Sequence, residues 1–244
     1  MVVTLALLGQ PVPAESCTAF VVVGEDLVLF GNNEDYWNPA TRMWFVPGDD
    51  GSLGRVYFGY DDLLPQGGMN EAGLVYDGFA TPPKAVTGSL DKPPISEREL
   101  IDGAMATCRS VEQVIEHFSR FNLAIMEGWN LMFADHSGDS VIIEGDAMLR
   151  RSGPFQVSTN FHQSLHPDGR NAYGEGESCG RFEIATEMLR GMREPSIAEV
   201  RRVLKDDGVL WLNIGDGYTS GNRGYRAPDK KNPARAMSVR PDTP

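Results

Sequence analysis

The sequence predicts an α+β fold in which antiparallel sheets are covered by layers of helices. Two observations predict it. Strand patterns come first, then two helices, then strands again, then two more helices; this is segregated order, not the βαβα alternation of a doubly wound parallel sheet. The strand candidates are also β-branched, apolar and joined by turns such as Gly24-Glu-Asp26 and His136-Ser-Gly-Asp139, as hairpin neighbours are.

The elements follow in order. Thr18–Val23 is a continuous apolar run and reads as a buried strand. Leu27–Phe30 is its hairpin partner, ending in the polar loop Gly31-Asn-Asn-Glu-Asp35. Met43–Val46, Gly54–Tyr60 and Gly73–Phe79 read as further strands, and Thr81–Pro94 as a Pro-rich loop. Ser96-x-x-Glu99 is a capping box that opens a helix to about Thr107. Ser110-x-x-Gln113 opens the next, with Val111, Val114, Ile115 and Phe118 on one face. Strand patterns return at Asn130–Ala134, Ser140–Gly145, Met148–Arg151 and Phe155–Thr159. Helices resume at Cys179–Arg190 and Ser196–Leu204, the latter with a second capping box, Ser196-x-x-Glu199. There is no internal repeat, Walker loop or dinucleotide fingerprint.

Both ends of the chain stand apart. Val2–Leu8 is an apolar stretch of signal-peptide length, and the small residues Ala14 and Ser16 lie three and one positions before Cys17. No Lys or Arg precedes the apolar run. Residues 1–16 therefore read as a clipped secretory leader or a propeptide, with an ordinary first strand as the plain alternative. A leader implies a secreted or periplasmic protein, and a self-removing propeptide a cytoplasmic one. At the other end, residues 219–244 hold six Lys/Arg against Asp229 and Asp242, with four prolines and almost no apolar periodicity. They read as a basic, solvated tail, which leaves residues 17–218 as the folded domain.

The 244 residues are ample for a sizeable core. A net charge of −12 makes the chain a poor general binder of nucleic acid or anionic membrane. No apolar run approaches the roughly 20 residues that span a bilayer. Three cysteines, none in a C-x-x-C pair, argue against a disulfide scaffold or a structural zinc site. Cys108 and Cys179 read as buried fillers, or as a pair if the protein is exported. His117, His162 and His166 show no orienting partner for a Cys–His mechanism.

Cleavage after Ser16 would leave Cys17 with a free α-amine. Such an amine has a pKa of about 7.7–8.0 and is substantially neutral near pH 7–8. It can accept the thiol proton of its own residue, so nucleophile and base sit together. A lipoprotein cysteine is the competing reading; Glu15 and the lack of a Leu-small-small pattern oppose it.

Six segments in order then carry a resemblance: Cys17-Thr-Ala-Phe, Phe30-Gly-Asn-Asn-Glu-Asp35-Tyr-Trp, Gly68-Met-Asn70-Glu-Ala-Gly-Leu74, Asn130 through Glu144, Ser158-Thr-Asn160-Phe and Ser178-Cys-Gly-Arg181-Phe. Together they resemble the linear amide C–N hydrolases of the N-terminal-nucleophile superfamily, which includes choloylglycine hydrolases, penicillin V acylases and the isopenicillin-N acyltransferase branch. The resemblance implies a four-layer αββα sandwich. It implies Cys17 as nucleophile, Asp35 as the carboxylate that orients the α-amine, Asn160 as an oxyanion donor and Arg181 as a support for the polar network, with Asp35 a candidate partner of that arginine. It implies a small-molecule acyl-amide substrate, no metal or cofactor, and a superfamily that often assembles as homo-oligomers. A dipeptidase of the same superfamily is the nearest alternative, and an inactive binding remnant of the fold is the next.

Three features depart from the pattern. Asn32 stands where choloylglycine hydrolases carry arginine, which weakens any bile-salt or penicillin V assignment. Ala80 stands where they carry an amide, which shifts the oxyanion hole toward backbone N–H groups. Family members usually finish with strands that complete a sheet; after about Trp211 this chain shows no such pattern, so its C-terminus reads as truncated.

Overall fold

The computed structural model describes residues 17–25, 27–34, 40–192 and 195–203, together with the backbone of 209–213. The leader and basic-tail readings, Asp35, Tyr36 and Trp37 lie outside the described residues.

In chain order the elements are β1 (Thr18–Val23), β2 (Val28–Asn33), β3 (Arg42–Val46), β4 (Arg55–Gly59), β5 (Pro65–Asn70), β6 (Val75–Ala80), α1 (Glu97–Thr107), α2 (Val111–Phe118), β7 (Trp129–Ala134), β8 (Ser140–Ile143), β9 (Met148–Arg150), β10 (Phe155–Thr159), α3 (Gly180–Arg190), α4 (Ile197–Val203) and β11 (Val209–Asn213). All strand pairing is antiparallel. One sheet runs β10-β1-β2-β11 and the other β3-β4-β5-β6-β7-β8-β9.

Strand alternation builds the layers. On β1, Phe20 and Val22 face outward to Phe182, Ala185 and Leu189 of α3 and Val200 of α4. The intervening Cys17, Ala19 and Val21 face inward to Val75 and Phe79 of β6, Met132 and Ala134 of β7, and Ile142 of β8. On the far side of the second sheet, Tyr76, Leu131, Phe133 and Val141 pack against Leu100, Ile101 and Met105 of α1 and Val114 and Phe118 of α2. The order is helices, sheet, sheet, helices: the α+β sandwich expected from the sequence.

The caps behave as the pattern requires. Ser96 and Glu99 form a reciprocal capping box on α1. Ser110 accepts from Gln113 N at α2, while the Gln113 side chain turns instead to Arg109 N at 2.7 Å. Several of the recurring segments are scaffolding. Buried Asn70 donates from Nδ2 to Met105 O and Cys108 O at 2.9 and 2.8 Å, satisfying carbonyls at the C-terminal end of α1. Asp135 accepts from Val111 N at 2.8 Å, at the N-terminus of α2.

Two strands were not expected. β5 contains a proline and two glycines, a composition depleted in strands. Gly67 sits where a Cβ would lie 2.9 Å from Asp77 Oδ1, and Gly68 where the chain passes close under two tyrosines. A Cβ on Gly68 would lie 2.5 Å from Val56 O and 2.8 Å from the Tyr57 ring. β11, Val209–Asn213, pairs with β2 and extends the first sheet, while the reading of the chain beyond it falls outside the described residues. A disulfide between Cys108 and Cys179 does not form. Both are free, and they lie in the two outer cores on opposite sides of the sandwich.

Candidate active site

Cys17 sits immediately before β1, with 8% of its surface exposed. Its N–H donates to Asn160 Oδ1 at 2.7 Å. Its carbonyl accepts from Arg181 Nη1 at 2.6 Å, and its Sγ donates to Glu34 Oε2 at 3.2 Å. Three of the four residues expected at the site are thus brought together from β1, the end of β10 and the start of α3. Asp35, the fourth, lies outside the described residues.

Arg181 is half-buried, and its described partners are neutral oxygens. Besides the Cys17 carbonyl, Nη1 donates to Asn160 Oδ1 at 3.1 Å and Thr18 Oγ1 at 3.5 Å, and Nη2 to Tyr173 OH at 3.5 Å. The guanidinium therefore ties the start of β1 to the residue after β10. Burial raises the Tyr173 hydroxyl to about 12, with a hydrogen bond to Cys179 acting in the same direction. Asn160 is 6% exposed, and its Nδ2 donates to Ala80 O at 2.9 Å. A primary amide carries two N–H groups, so a second donor remains for a ligand.

The loop after Asn160 is pinned from beneath. Glu144, fully buried, accepts from Gln163 N at 2.6 Å and Ser164 N at 3.1 Å, with Lys84 Nζ at 3.9 Å and His162 Nδ1 at 3.8 Å. His162 Nε2 turns to Pro82 O at 2.9 Å and Thr81 Oγ1 at 3.1 Å. Asn130 Nδ2 donates to Phe161 O at 3.1 Å. His162 thus belongs to the frame that fixes Asn160. His117 is likewise structural, bonded to Leu100 O and lowered in basicity by burial.

Three residues came into the site without being assigned roles by the sequence reading: Asn32, Glu34 and Asp77. Asn32 is 5% exposed, and its Nδ2 lies 3.2 Å from both Glu34 Oε1 and Asp77 Oδ1. Where a guanidinium was missed, a neutral amide bridges two carboxyl groups. The two carboxyl groups thus converge on one amide. Burial raises both groups. Asp77, 1% exposed and facing the Glu34 charge, is raised well above the usual carboxylate range. The signal for Asp77 was present in the sequence, as a carboxylate between Val75 and Phe79 on an otherwise apolar strand face.

The thiol opens on a cleft of about 210 Å³ lined by Glu34, Tyr60, Asp62, Leu64, Gln66, Gly78, Ala80 and Asn160. Among the described residues no group of His, Cys, Asp or Glu is arranged to hold a metal ion. Nor is any described helix long and apolar enough to cross a membrane. The chemistry present is a thiol beside a carboxylate, with an amide donor across the cleft.

An antiparallel αββα sandwich with a cysteine at the head of an inner strand has the fold class of the N-terminal-nucleophile hydrolases. Solved structures of that class superpose on this chain. A mutant of conjugated bile acid hydrolase from Clostridium perfringens does so with a TM-score of 0.57 at 18% identity, covering 77% of each chain. Penicillin V acylase from Agrobacterium tumefaciens gives 0.56 at 20% identity, covering 88% of this chain and 76% of its own. The Caenorhabditis elegans ortholog of N-acylethanolamine-hydrolyzing acid amidase gives 0.58 at 14% identity, covering 81% and 93%. No protein-family model matches the chain.

Sequence comparison points elsewhere. Over 107 residues, 43% of the chain, it is 55% identical to the type II methyltransferase M.XycI of Xanthomonas campestris pv. cyanopsidis and 62% identical to M.Cfr9I of Citrobacter freundii. The chain spans about a third of the length of these curated relatives, 35% in each case.

Proposed function

We propose that the protein is a cysteine amidohydrolase of the N-terminal-nucleophile kind, acting on a linear, non-peptide acyl-amide. The observation that carries this reading is the position of Cys17: Sγ on the cleft beside Glu34, backbone nitrogen held by Asn160, carbonyl held by Arg181. Removal of residues 1–16 would convert that nitrogen into an α-amine already seated on an acceptor. The α-amine takes the thiol proton as the Cys17 sulfur adds to the amide carbonyl, and Asn160 donates to the developing oxyanion. Collapse expels the amine, which takes a proton from the Cys17 ammonium group. The resulting thioester is hydrolysed by a water molecule that the now-neutral α-amine deprotonates. Transfer of the acyl group to a second amine instead of water is the same chemistry with another acceptor. A dipeptidase would use the same first half-reaction.

The test is an intact mass of the expressed protein before and after brief, limiting alkylation, followed by peptide mapping and a panel of acyl-amides. A mass lacking residues 1–16, one label on Cys17 ahead of Cys108 and Cys179, and turnover of at least one amide are expected. A full-length mass with Cys17 unlabelled would overturn the reading in favour of a binding remnant of the fold.

A second reading rests on the curated relatives, whose identity to this chain far exceeds that of the structural neighbours. It makes the shared 107 residues a methyltransferase segment. Against it stand the antiparallel sheets. Methyl transfer from a labelled donor in the absence of any amide turnover would favour it.

A further inference from the structure

We propose that Glu34 is the proton acceptor of the Cys17 thiol, and that Asp77 keeps Glu34 ready by donating it a hydrogen bond as a neutral carboxylic acid. The inference rests on Cys17 being the nucleophile and assigns a step otherwise left to the α-amine.

Three observations carry it. Glu34 Oε2 is 3.2 Å from Cys17 Sγ, within reach of the thiol proton, and both residues line the cleft. The Cys17 nitrogen donates to Asn160 Oδ1 at 2.7 Å, whereas the sulfur lies against Glu34. Asp77 is 1% exposed, and its Oδ2 receives no hydrogen-bond donor. A proton on Asp77 would give this buried, unpartnered side chain a donor for Glu34, its neighbour on the Asn32 amide. A buried acid kept neutral so that it can donate is an established device. Asn32 supplies the remaining donor, to Glu34 Oε1 and Asp77 Oδ1. Among the described residues, the charged and titratable groups around Glu34 are then Cys17 at the head of β1, Asp77 on β6, and Tyr60 and Asp62 on the cleft wall, with Arg181 of α3 on the Cys17 carbonyl.

The step balances. The thiol proton passes from Sγ to Glu34 Oε2 as the sulfur pair forms the C–S bond and the carbonyl π pair moves to oxygen. Collapse breaks the C–N bond, and the leaving nitrogen takes its proton from the Cys17 ammonium. In deacylation the amine takes a proton from water, the C–S bond breaks, and Glu34 returns its proton to sulfur.

The experiment follows the rate of Cys17 modification by iodoacetamide from about pH 5.5 to 9 on the full protein, read by peptide mapping with Cys108 and Cys179 as internal controls. For the wild type, the rate should rise as Glu34 ionises and then level off below the range of a free thiol, near pKa 8.5. Glu34→Gln should lose the plateau, fall at least about tenfold at pH 7, and climb about one decade per pH unit as an unassisted thiol does. Glu34→Asp, which withdraws the carboxylate by one methylene, should keep a lower plateau. Asp77→Ala should move the onset upward because Glu34 loses its donor, and Asp77→Asn, which restores an N–H donor, should return it. A merely structural Asp77 would leave the onset in place. A Glu34→Gln protein that is folded by circular dichroism and keeps the wild-type plateau overturns the inference while Cys17 remains the nucleophile. A wild type in which Cys17 is labelled no faster than Cys108 and Cys179 overturns the nucleophile reading itself.

Discussion

The layer between the two sheets has a dry half and a polar half, made by the same strands. From Cys17 into β1 the inward series runs Cys17, Ala19, Val21; on β2 it runs Asn32, Phe30, Val28; on β6 it passes Phe79, Asp77, Val75. Toward Val21, Val28 and Val75, the faces meet Ala134 and Ile142 in an apolar core. At the other end Cys17, Asn32 and Asp77 converge with Glu34 and Asn160. Register alone decides which half a side chain joins, because alternation sends every second residue inward and hairpin pairing fixes its depth. Buried polar groups cost free energy unless each finds a partner. The dry half is therefore where stability is concentrated and the polar half where chemistry can be.

Two substitutions would break this comparison if it were wrong. Cys17→Ala at the polar end should lower hydrolysis of any amide the wild type turns over by about a thousandfold or more, with little change in the unfolding midpoint. Equal turnover would sever the cleft from the chemistry. Ile142→Ala at the dry end should do the reverse, costing about 2–5 kcal/mol in denaturant unfolding while leaving the rate of Cys17 alkylation unchanged. Ile142 is fully buried and takes part in none of the polar cluster's hydrogen bonds given above. A slowed Cys17 in that variant would mean the two halves act as one unit.

Much of this layout was legible before the structure. Alternating apolar runs and serine caps gave nearly every helix and most strands, because those signals are local. β5 was hidden, since Pro65, Gly67 and Gly68 are poor strand residues, and the crowding by Asp77, Tyr57 and Tyr76 that calls for the two glycines comes from neighbouring strands. β11 was hidden for the same kind of reason, being a strand defined by its pairing with β2. At the site, Cys17, Asn160 and Arg181 were found through ordered motifs, while Glu34 and Asp77 were not. Their meaning depends on the Asn32 amide, which joins distant stretches of sequence at the end of β2 in one sheet and on β6 in the other. A lone acidic residue in a strand pattern does not say what it faces.

The mildest test uses that pair to sharpen the boundary between the halves. Burial raises Asp77 well above its unfolded value, so the native state holds a proton that the unfolded chain gives up above about pH 3.9. The sign follows from linkage: the stability associated with this group is full below its unfolded pKa and declines as pH rises toward its folded pKa. Asp77→Asn keeps a neutral side chain of the same shape, with an oxygen for Asn32 and an N–H for Glu34, and removes that proton from the equilibrium. The variant should gain on the wild type by about 1.4 kcal/mol for each pH unit over which Asp77 retains its proton. Urea unfolding of both proteins at about pH 5 and pH 6 measures this directly. Parallel pH dependence would mean that Asp77 is ionised in the folded protein, and that the polar half is held by charge instead of by a buried acid.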